Sequence, residues 1–238
     1  MLIDLFRSVK ETGSTNADLL NLATQGAPDG LWLRADRQSA GKGRMGRDWQ
    51  SPIGNFYGST LVRLGPEDTV APTLAFVAAL AVYDALKEVA PQVDLLIKWP
   101  NDILSGGAKI SGILLERRDD AVIIGMGINL AFHPQGLGRP VTSLSALGVK
   151  PPTAQAFQPV LARCLSHWLG LWRGGGLPDI LAAWQARAHA KGTSLSVHLP
   201  DGQSIEGVFD GLDAHGALQL RLADGAVRAI HAGDVFLI

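Results

Sequence analysis

Residues 41–49, GKGRMGRDW, place three glycines and three cationic side chains within nine positions of the chain. The spacing satisfies the G-x-G-x-x-G pattern of dinucleotide-binding loops, but such loops turn directly into a helix whose N-terminal amides hold a pyrophosphate. Here RDWQSP follows the third glycine, so no immediate helix is expected. Lys42 is followed by Gly43 rather than by Ser or Thr, which excludes the P-loop pattern. The stretch therefore predicts an anion-binding loop in a fold of a different kind.

The positive charge of the chain is concentrated around this loop. Five cationic side chains and two carboxylates lie between positions 34 and 48, whereas the 238 residues together have a formal net charge of -1 and a pI near 6.6. The whole chain thus has no electrostatic footprint for nucleic acid or for an anionic membrane surface. The alternative interpretation is an exposed basic loop with glycines at its turns, because charge runs are often simply solvated.

A second polar cluster follows an apolar strand. In residues 97–102, IKWPND, Lys98 ends the strand and Asn101 and Asp102 follow in a turn fixed by proline. An uncompensated ammonium at the end of a buried strand is costly, so Lys98 predicts a nearby anionic ligand. The alternative is an ordinary strand exit at which the lysine reaches solvent.

Two further strands complete the set of polar and glycine positions. Lys109 begins the strand KISGILLE, and Gly125, Gly127 and Asn129 fall on one face of the next strand by the period of two. Glycines weaken a strand, so a bare track ending in an amide indicates either a flat ligand or close packing of another element.

The order of predicted elements favours an α+β fold with a mixed sheet and flanking helices. Helices are predicted at residues 17–23, 72–89, 153–172 and 178–190, and strands at 31–35, 55–63, 93–99, 108–116 and 121–130. From about residue 191, turn signals recur every eight to twelve residues, which predicts five short strands in a small barrel. We therefore expect two domains, residues 1–190 and residues 191–238.

The cysteine content and the apolar runs of the sequence indicate the compartment in which the protein is found. The single cysteine, Cys164, excludes an internal disulfide and favours a reducing compartment. The start of the chain lacks the pattern of a signal peptide, and the most apolar run, residues 74–82, is shorter than the ~20 residues of a spanning helix. We therefore expect a soluble cytoplasmic protein without membrane association.

The combined residue types suit a reaction between a carboxylate and a nucleoside triphosphate. Two unit anions 4 Å apart repel by roughly 4 kcal/mol at an effective dielectric constant of ~20, so their approach needs several cations. A carboxylate oxygen is already a nucleophile, so such chemistry needs positioning and charge stabilisation rather than a Ser-His-Asp set. The cationic loop and the lysines at 98 and 109 match that need.

The motifs resemble those of the biotin protein ligases, also called holocarboxylase synthetases or biotin-[acetyl-CoA-carboxylase] ligases. The resemblance covers nearly the whole chain. It is carried by ETGSTN at 11–16, Gln38, the loop at 41–49, KWPND at 98–102, KISGILLE at 109–116 and GMGINL at 125–130. It implies a catalytic domain of the biotin-lipoyl ligase type, similar to class II aminoacyl-tRNA synthetases, followed by a small SH3-like β-barrel.

The resemblance also implies a two-step reaction. Biotin and Mg-ATP would give biotinyl-5′-adenylate and pyrophosphate, and a lysine of the biotin carboxyl carrier protein would then take the biotinyl group as an amide. The implied catalytic residues are Arg44, Lys98 and Lys109. The implied biotin-binding set is Ser14, Thr15, Asn16, Gln38, Lys42, Gly43, Arg44, Lys109 and Gly112. The implied ATP and adenylate set is Arg44, Arg47, Trp49, Asn101, Asp102, Lys109 and Asn129, with Asp102 as a candidate ligand of Mg²⁺.

Three features depart from the family pattern or leave alternatives open. Lys42 stands where the family usually has arginine, which keeps the charge but loses bidentate geometry. Only ten residues precede Glu11, so we expect no winged-helix domain and no specific binding to DNA. Whether the chain is a monomer or a homodimer stays open.

The same residues are compatible with rival functions. Lipoate ligases share the broader fold and need no cysteine, and octanoyl transferases use a cysteine nucleophile. The periodic apolar setting of Cys164 favours a structural role for that thiol. A non-enzymatic sensor of biotin or of its adenylate is the third possibility, since binding residues alone do not prove turnover.

Overall fold

The computed structural model describes residues 5–68 and 70–238, which form two sheets and four α-helices. Seven strands form a mixed sheet in the order β1-β2-β3-β7-β6-β5-β4. Only β1 and β2 run parallel, and the other neighbours are antiparallel. The strands are β1 Phe6–Thr12, β2 Trp32–Gln38, β3 Phe56–Arg63, β4 Leu96–Lys98, β5 Asp102–Ser105, β6 Ala108–Arg118 and β7 Ala121–Ile128. The mixed α+β class predicted from the sequence is confirmed.

Helices cover the two faces of the large sheet unequally. The helices are α1 Thr15–Thr24, α2 Leu74–Val89, α3 Ala154–Arg173 and α4 Leu177–Gln185. The main core joins α2, α3 and α4 to one face, on which Trp32, Val62 and Ile124 are buried. Alternate residues Leu33, Leu61 and Ile123 point the other way and pack under α1 alone. Because α1 is only ten residues long, part of that second face is left open.

The start of α1 is fixed by its cap. Ser14 has extended backbone geometry, and its hydroxyl accepts a hydrogen bond from the backbone N–H of Ala17, as the polar run before the helix predicted. The sequence did not reveal β1, which precedes this helix at the edge of the sheet. All but the last residue of β1 are exposed, so the strand lacks the alternation of apolar and polar residues that identifies a half-buried strand.

The C-terminal residues form a separate antiparallel sheet in the order β11-β10-β9-β8-β12. Its strands are β8 Ser194–His198, β9 Ser204–Leu212, β10 Leu218–Arg221, β11 Val227–Ile230 and β12 Asp234–Leu237. Five strands were predicted, but no pairing of β11 with β12 closes them into a barrel within the described residues. The sheet packs on the main core through Leu195, Phe209 and Leu218. The division of the chain at residue 191 stays a prediction.

Candidate functional site

The open part of the second face is the floor of a cavity of about 670 Å³. That volume lies within the ~300–1,000 Å³ typical of small-molecule sites. The floor is formed by β3, β6 and β7, the glycine loop covers one side, and β12 of the small sheet closes another. All but one of the residues predicted from the sequence line it: Ser14, Thr15, Asn16, Gln38, Lys42, Gly43, Arg44, Arg47, Trp49, Lys98, Asn101, Asp102, Lys109 and Gly112.

The end of the cavity beside α1 is polar and uncharged at its surface. Gln38 Oε1 accepts hydrogen bonds from the backbone N–H and the hydroxyl of Thr15, at 2.9 and 3.1 Å. The hydroxyls of Thr15 and Ser59 lie 2.7 Å apart, and Ser59 donates to Asn16 Oδ1 over 2.6 Å. Asn16 Nδ2 in turn donates to a carboxylate oxygen of Glu116 over 2.7 Å. A fixed amide and hydroxyl network of this kind suits a polar, uncharged ligand group.

The opposite end is cationic. Lys109 Nζ lies 2.5 Å from Asp102 Oδ1, and Lys98 Nζ lies 3.8 Å from Asp102 Oδ2. Lys98 also donates to the carbonyl of Val235 over 3.1 Å, so it points into the cavity rather than to bulk solvent. Burial lowers the pKa of Lys109, although Asp102 acts in the opposite direction. Two ammonium groups share one carboxylate, which leaves an excess of positive charge to attract an anionic ligand.

The glycine loop brings two arginines over this cationic end. Its central turn, Arg44–Gly46, places Met45 and Gly46 in the left-handed region with φ of 57° and 71°. The left-handed conformation reverses the chain, and the backbones of Lys42 and Asp48 form an antiparallel β-bridge across the reversal. Burial lowers the pKa of Arg44, and Asp234 opposes that shift.

Residue 234 was not predicted from the sequence to be a site residue. Arg47 Nη2 donates to Asp234 Oδ1 over 2.9 Å, and Arg44 Nη1 lies 3.8 Å from the same oxygen. Arg44 also donates to the carbonyl of Gly233 over 3.3 Å and reaches Asn101 Oδ1 at 3.5 Å. The sequence offered only a Gly-Asp turn signal at this position, and nothing in its spacing connects it with a loop nearly 190 residues earlier.

The glycine track on β7 is covered by side chains of the chain itself. A Cβ atom added at Gly127 would lie 2.5 Å from Cε2 of Trp49, and one at Gly125 would lie 2.2 Å from Oδ1 of Asn16. Lys109 Nζ lies 5.3 Å from the centroid of the same indole ring. Of the two sequence interpretations, close packing of another element therefore explains both glycines. The buried indole N–H of Trp49 has no hydrogen-bond partner among the described residues.

Asn129 is the one predicted residue that does not line the cavity. It follows the end of β7 and is only 3% exposed. Its amide nitrogen donates to the carbonyl of Thr142 over 2.9 Å, and its side-chain oxygen accepts from Asn55 at 3.4 Å. The period of two applies only while the strand continues, so it does not extend to this position. Asn129 joins the loop before α3 to the sheet, and any influence on a ligand would be indirect.

The candidate metal ligand Asp102 has lysine neighbours instead of further carboxylates. Within residues 5–68 and 70–238, no group of three or more His, Cys, Asp or Glu side chains could hold a metal ion. Mg²⁺ favours oxygen ligands, and the two ammonium groups beside Asp102 would oppose its binding at that carboxylate. The residues do not fit a magnesium site built by the protein alone.

Known proteins are similar to this chain over both of its sheets. The pattern of the biotin/lipoate A/B protein ligase family matches residues 5–129, and that of the biotin protein ligase C terminal domain matches residues 196–238. The biotin--[acetyl-CoA-carboxylase] ligase of Paracoccus denitrificans is 39% identical, covering 94% of this chain and 97% of the relative. That of Mycobacterium tuberculosis is 35% identical, covering 95% and 86%.

A solved structure extends the similarity to the whole fold. The biotin protein ligase from Aquifex aeolicus in complex with biotin and ATP is similar at a TM-score of 0.85 and 27% identity, with 98% of both chains covered. Because the family pattern covers more than half of the chain and the relatives cover nearly all of it, the chain belongs to the biotin/lipoate A/B protein ligase family.

Proposed function

We propose that this chain is an ATP-dependent biotin protein ligase that forms biotinyl-5′-adenylate and then transfers the biotinyl group to a lysine of a carboxyl carrier protein. The observation that carries the proposal is the polarity of one continuous cavity. Its α1 end offers amide and hydroxyl groups suited to a ureido ring, and its other end gathers Arg44, Lys98 and Lys109 for a carboxylate and phosphates. Relatives covering over 90% of the chain carry the same activity in their names.

The first step joins two anions. A carboxylate oxygen of biotin attacks the α-phosphorus of ATP, the P–O bond to the β-phosphate breaks, and pyrophosphate leaves. We assign Lys109 and Arg44 to offset the repulsion between these anions, because both cations line the same end of the cavity. The partial desolvation of both cations strengthens their interaction with that charge.

The second step needs no nucleophile from the enzyme. The neutral ε-amine of the carrier lysine attacks the carbonyl carbon of the mixed anhydride, the amine loses a proton, and AMP leaves as an amide forms. The chain must hold the adenylate until the carrier arrives, because the anhydride is reactive toward any amine. We assign that retention to the loop at residues 41–49 and to Trp49, which lies over the floor beside Lys109.

Magnesium enters the proposal as part of the substrate Mg-ATP. Mg²⁺ is commonly held by phosphates and water with one or two carboxylates, so the absence of a protein cluster does not conflict with that role. The carrier domain of a biotin-dependent carboxylase is the proposed partner. No helix in the described residues is both long and apolar enough to cross a membrane. The cytoplasmic location stays a prediction.

The structure weakens the cysteine-dependent rival. Cys164 lies on α3 in the main core and does not line the cavity, and burial raises the pKa of its thiol. A thiolate nucleophile needs the opposite shift and access to substrate. Lipoate ligation is disfavoured for a different reason, because the dithiolane ring offers no N–H groups to the amide and hydroxyl network around Thr15.

The test is mass spectrometry of a carrier domain after incubation with the protein, biotin and Mg-ATP. We expect one biotinyl increment on one carrier lysine, with none when ATP is omitted. Substitution of lipoate for biotin is the control. Modification by lipoate but not by biotin would replace the proposal with lipoate ligation, and biotin binding without any modification would favour a sensor.

A further inference from the structure

Glu116 does not line the cavity, but it ends a chain of hydrogen bonds that runs beneath the polar end of the cavity. The chain contains the side chains of Thr15, Ser59, Asn16 and Glu116, joined by contacts of 2.7, 2.6 and 2.7 Å. Thr15, Asn16 and Ser59 are buried, with exposures of 3%, 4% and 0%. Buried networks of this kind have one favourable proton arrangement, because each unpaired donor or acceptor is costly.

A carboxylate at one end fixes the direction of the whole chain. An ionised carboxylate only accepts hydrogen bonds, so the atom of Asn16 that faces Glu116 must be the donor Nδ2, which also makes a longer contact of 3.5 Å with the carbonyl of Leu114. Asn16 Oδ1 then faces Ser59 and accepts its single hydroxyl proton. Gly125 leaves the space for this amide orientation, since a Cβ atom there would lie 2.2 Å from Asn16 Oδ1.

The fixed direction decides what Thr15 offers to a ligand. Because Ser59 uses its proton to donate to Asn16, Ser59 Oγ is only an acceptor toward Thr15. The other neighbour of the Thr15 hydroxyl, Gln38 Oε1, is an acceptor as well. A hydroxyl has one proton, so Thr15 Oγ1 spends that proton within the protein and has only lone pairs left for the cavity. Gln38 Oε1 is likewise an acceptor, while Gln38 Nε2 donates away from it to Ser51 over 3.1 Å.

We propose that Glu116 is a positioning residue for substrate specificity, which orients Asn16 and Ser59 so that this wall of the cavity presents acceptors to the N–H groups of a cyclic urea. The inference rests on the proposed biotin ligase function and adds a residue that acts without touching the ligand. A site built to bond N–H groups rejects analogues that lack them, because its own polar atoms are then left unpaired.

The test is a series at position 116 that runs from acceptor-only to donor-only side chains. Glu116→Gln can present either an oxygen or a nitrogen to Asn16, and Glu116→Lys presents only donors. In Glu116→Lys the favoured arrangement inverts, because Asn16 turns its oxygen to the new ammonium group and its nitrogen to Ser59. Ser59 then donates to Thr15, and this hydrogen bond occupies a lone pair of Thr15 Oγ1 that would otherwise accept from the ligand. The matched controls are Glu88→Gln and Glu88→Lys, because Glu88 accepts hydrogen bonds from Arg163 on a helical surface away from the cavity.

Biotin affinity is measured by calorimetry on each full-length variant, together with the steady-state constants for carrier modification. We expect the dissociation constant for biotin to rise about tenfold for Glu116→Gln and about a hundredfold for Glu116→Lys, since weakening a buried hydrogen bond costs less than leaving a buried polar group unpaired. At saturating biotin, kcat and the KM for ATP should change less than twofold. A merely structural role would reduce kcat as well, and it would lower the thermal stability of the ligand-free protein.

A second readout tests polarity directly with the two mono-N-methyl derivatives of biotin. We expect at least one derivative to bind the wild type about tenfold more weakly than biotin, and to lose little further affinity in Glu116→Gln, because both changes remove the same interaction. Additive losses, or unchanged biotin affinity in both position-116 variants, would overturn the inference. Wild-type protein that fails to bind or ligate biotin would instead overturn the proposed function.

Discussion

At Lys109, burial and a neighbouring carboxylate act on the pKa of the ammonium group in opposite directions. Its side chain is 12% exposed, it pairs with Asp102, and burial lowers its pKa. Such a cation interacts strongly with charge that develops on an α-phosphate, whereas the later attack of an amine on the carbonyl carbon needs it less. Lys109→Met should therefore slow adenylate formation on the order of 100-fold or more, the typical effect of losing one charge-stabilising group.

Single-turnover kinetics separate the two steps for this variant. Adenylate formation is followed by pyrophosphate release, and transfer is followed with purified biotinyl-adenylate and the carrier domain. Lys87→Met is the control, because Lys87 bonds only to loop carbonyls beyond α2. Equal slowing of both steps would contradict the role assigned to Lys109.

Arg44 is expected to act on retention of the adenylate rather than on its formation alone. Its guanidinium lies between Asn101, Gly233 and Asp234 above the cavity. Arg44→Gly should release the adenylate about ten- to a hundredfold faster, as expected for losing a charge-assisted hydrogen bond of about 1.5–3 kcal/mol. The escaped anhydride should then label lysines of bystander proteins.

Labelling of bovine serum albumin, added with biotin and Mg-ATP, measures this escape. Arg63→Gly serves as the comparison for stability, because Arg63 is bound to Asp120 and to the carbonyls of Ala23 and Ala27, at the end of α1 and in the loop after it, and does not line the cavity. An adenylate that dissociates from Arg44→Gly at the wild-type rate would remove the retention role.

At the scale of elements, hydrophobic periodicity predicted the buried helices and strands, but it missed an exposed edge strand and the contacts between distant parts of the chain. The prediction of an apolar helix at residues 72–89 matches α2 because ten of its sixteen residues are buried, so the pattern was dense. Strand β1 was missed because it lies at an edge. Of the site residues that the motifs predicted, all but Asn129, which lies past a strand end, line the cavity. The motifs did not reveal Ser59 on β3 or Asp234 in the other sheet, because both are brought to the cavity by the fold.

Strand β7 carries a prediction of its own through Gly127. The strand passes beneath the indole of Trp49 so closely that a Cβ atom would lie 2.5 Å from the ring. In Gly127→Ala the ring must move off the floor, which alters the surface that we propose holds the adenylate. We expect adenylate affinity to fall about tenfold, equivalent to ~1.4 kcal/mol. Gly170→Ala is the control, because Gly170 lies in α3 with no atom close to an added Cβ.

Calorimetric titration with a non-hydrolysable adenylate analogue, together with thermal unfolding, measures this effect. The control should gain stability, because alanine is favoured over glycine in a helix by ~1 kcal/mol. Wild-type affinity in Gly127→Ala would show that the position of Trp49 does not matter for binding.

At the scale of the whole molecule, the small sheet completes the cavity of the large one. Strand β12 places Asp234, Val235, Phe236 and Leu237 in the cavity wall. Its first residues hold three cations of the site: Arg47 and Arg44 through Asp234, and Lys98 through the carbonyl of Val235. The position of the glycine loop thus depends on a strand that packs through a different part of the core. This dependence predicts that a single carboxylate of the small sheet, that of Asp234, affects how long the cavity of the large sheet retains the adenylate.

Asp234→Asn tests this dependence with minimal change in shape. Arg47 is 42% exposed, so the ion pair itself adds little to stability, and the free energy of unfolding should change by less than about 1 kcal/mol. The loop, however, loses its anchor, and we expect the adenylate to dissociate several-fold faster and the KM for ATP to rise. Asp210→Asn is the matched control, because Asp210 pairs with Arg221 over 2.5 Å within the same small sheet. If both variants released the adenylate at one rate, β12 would be a passive wall, whereas faster release from Asp234→Asn alone would make the second sheet part of the mechanism that retains the intermediate.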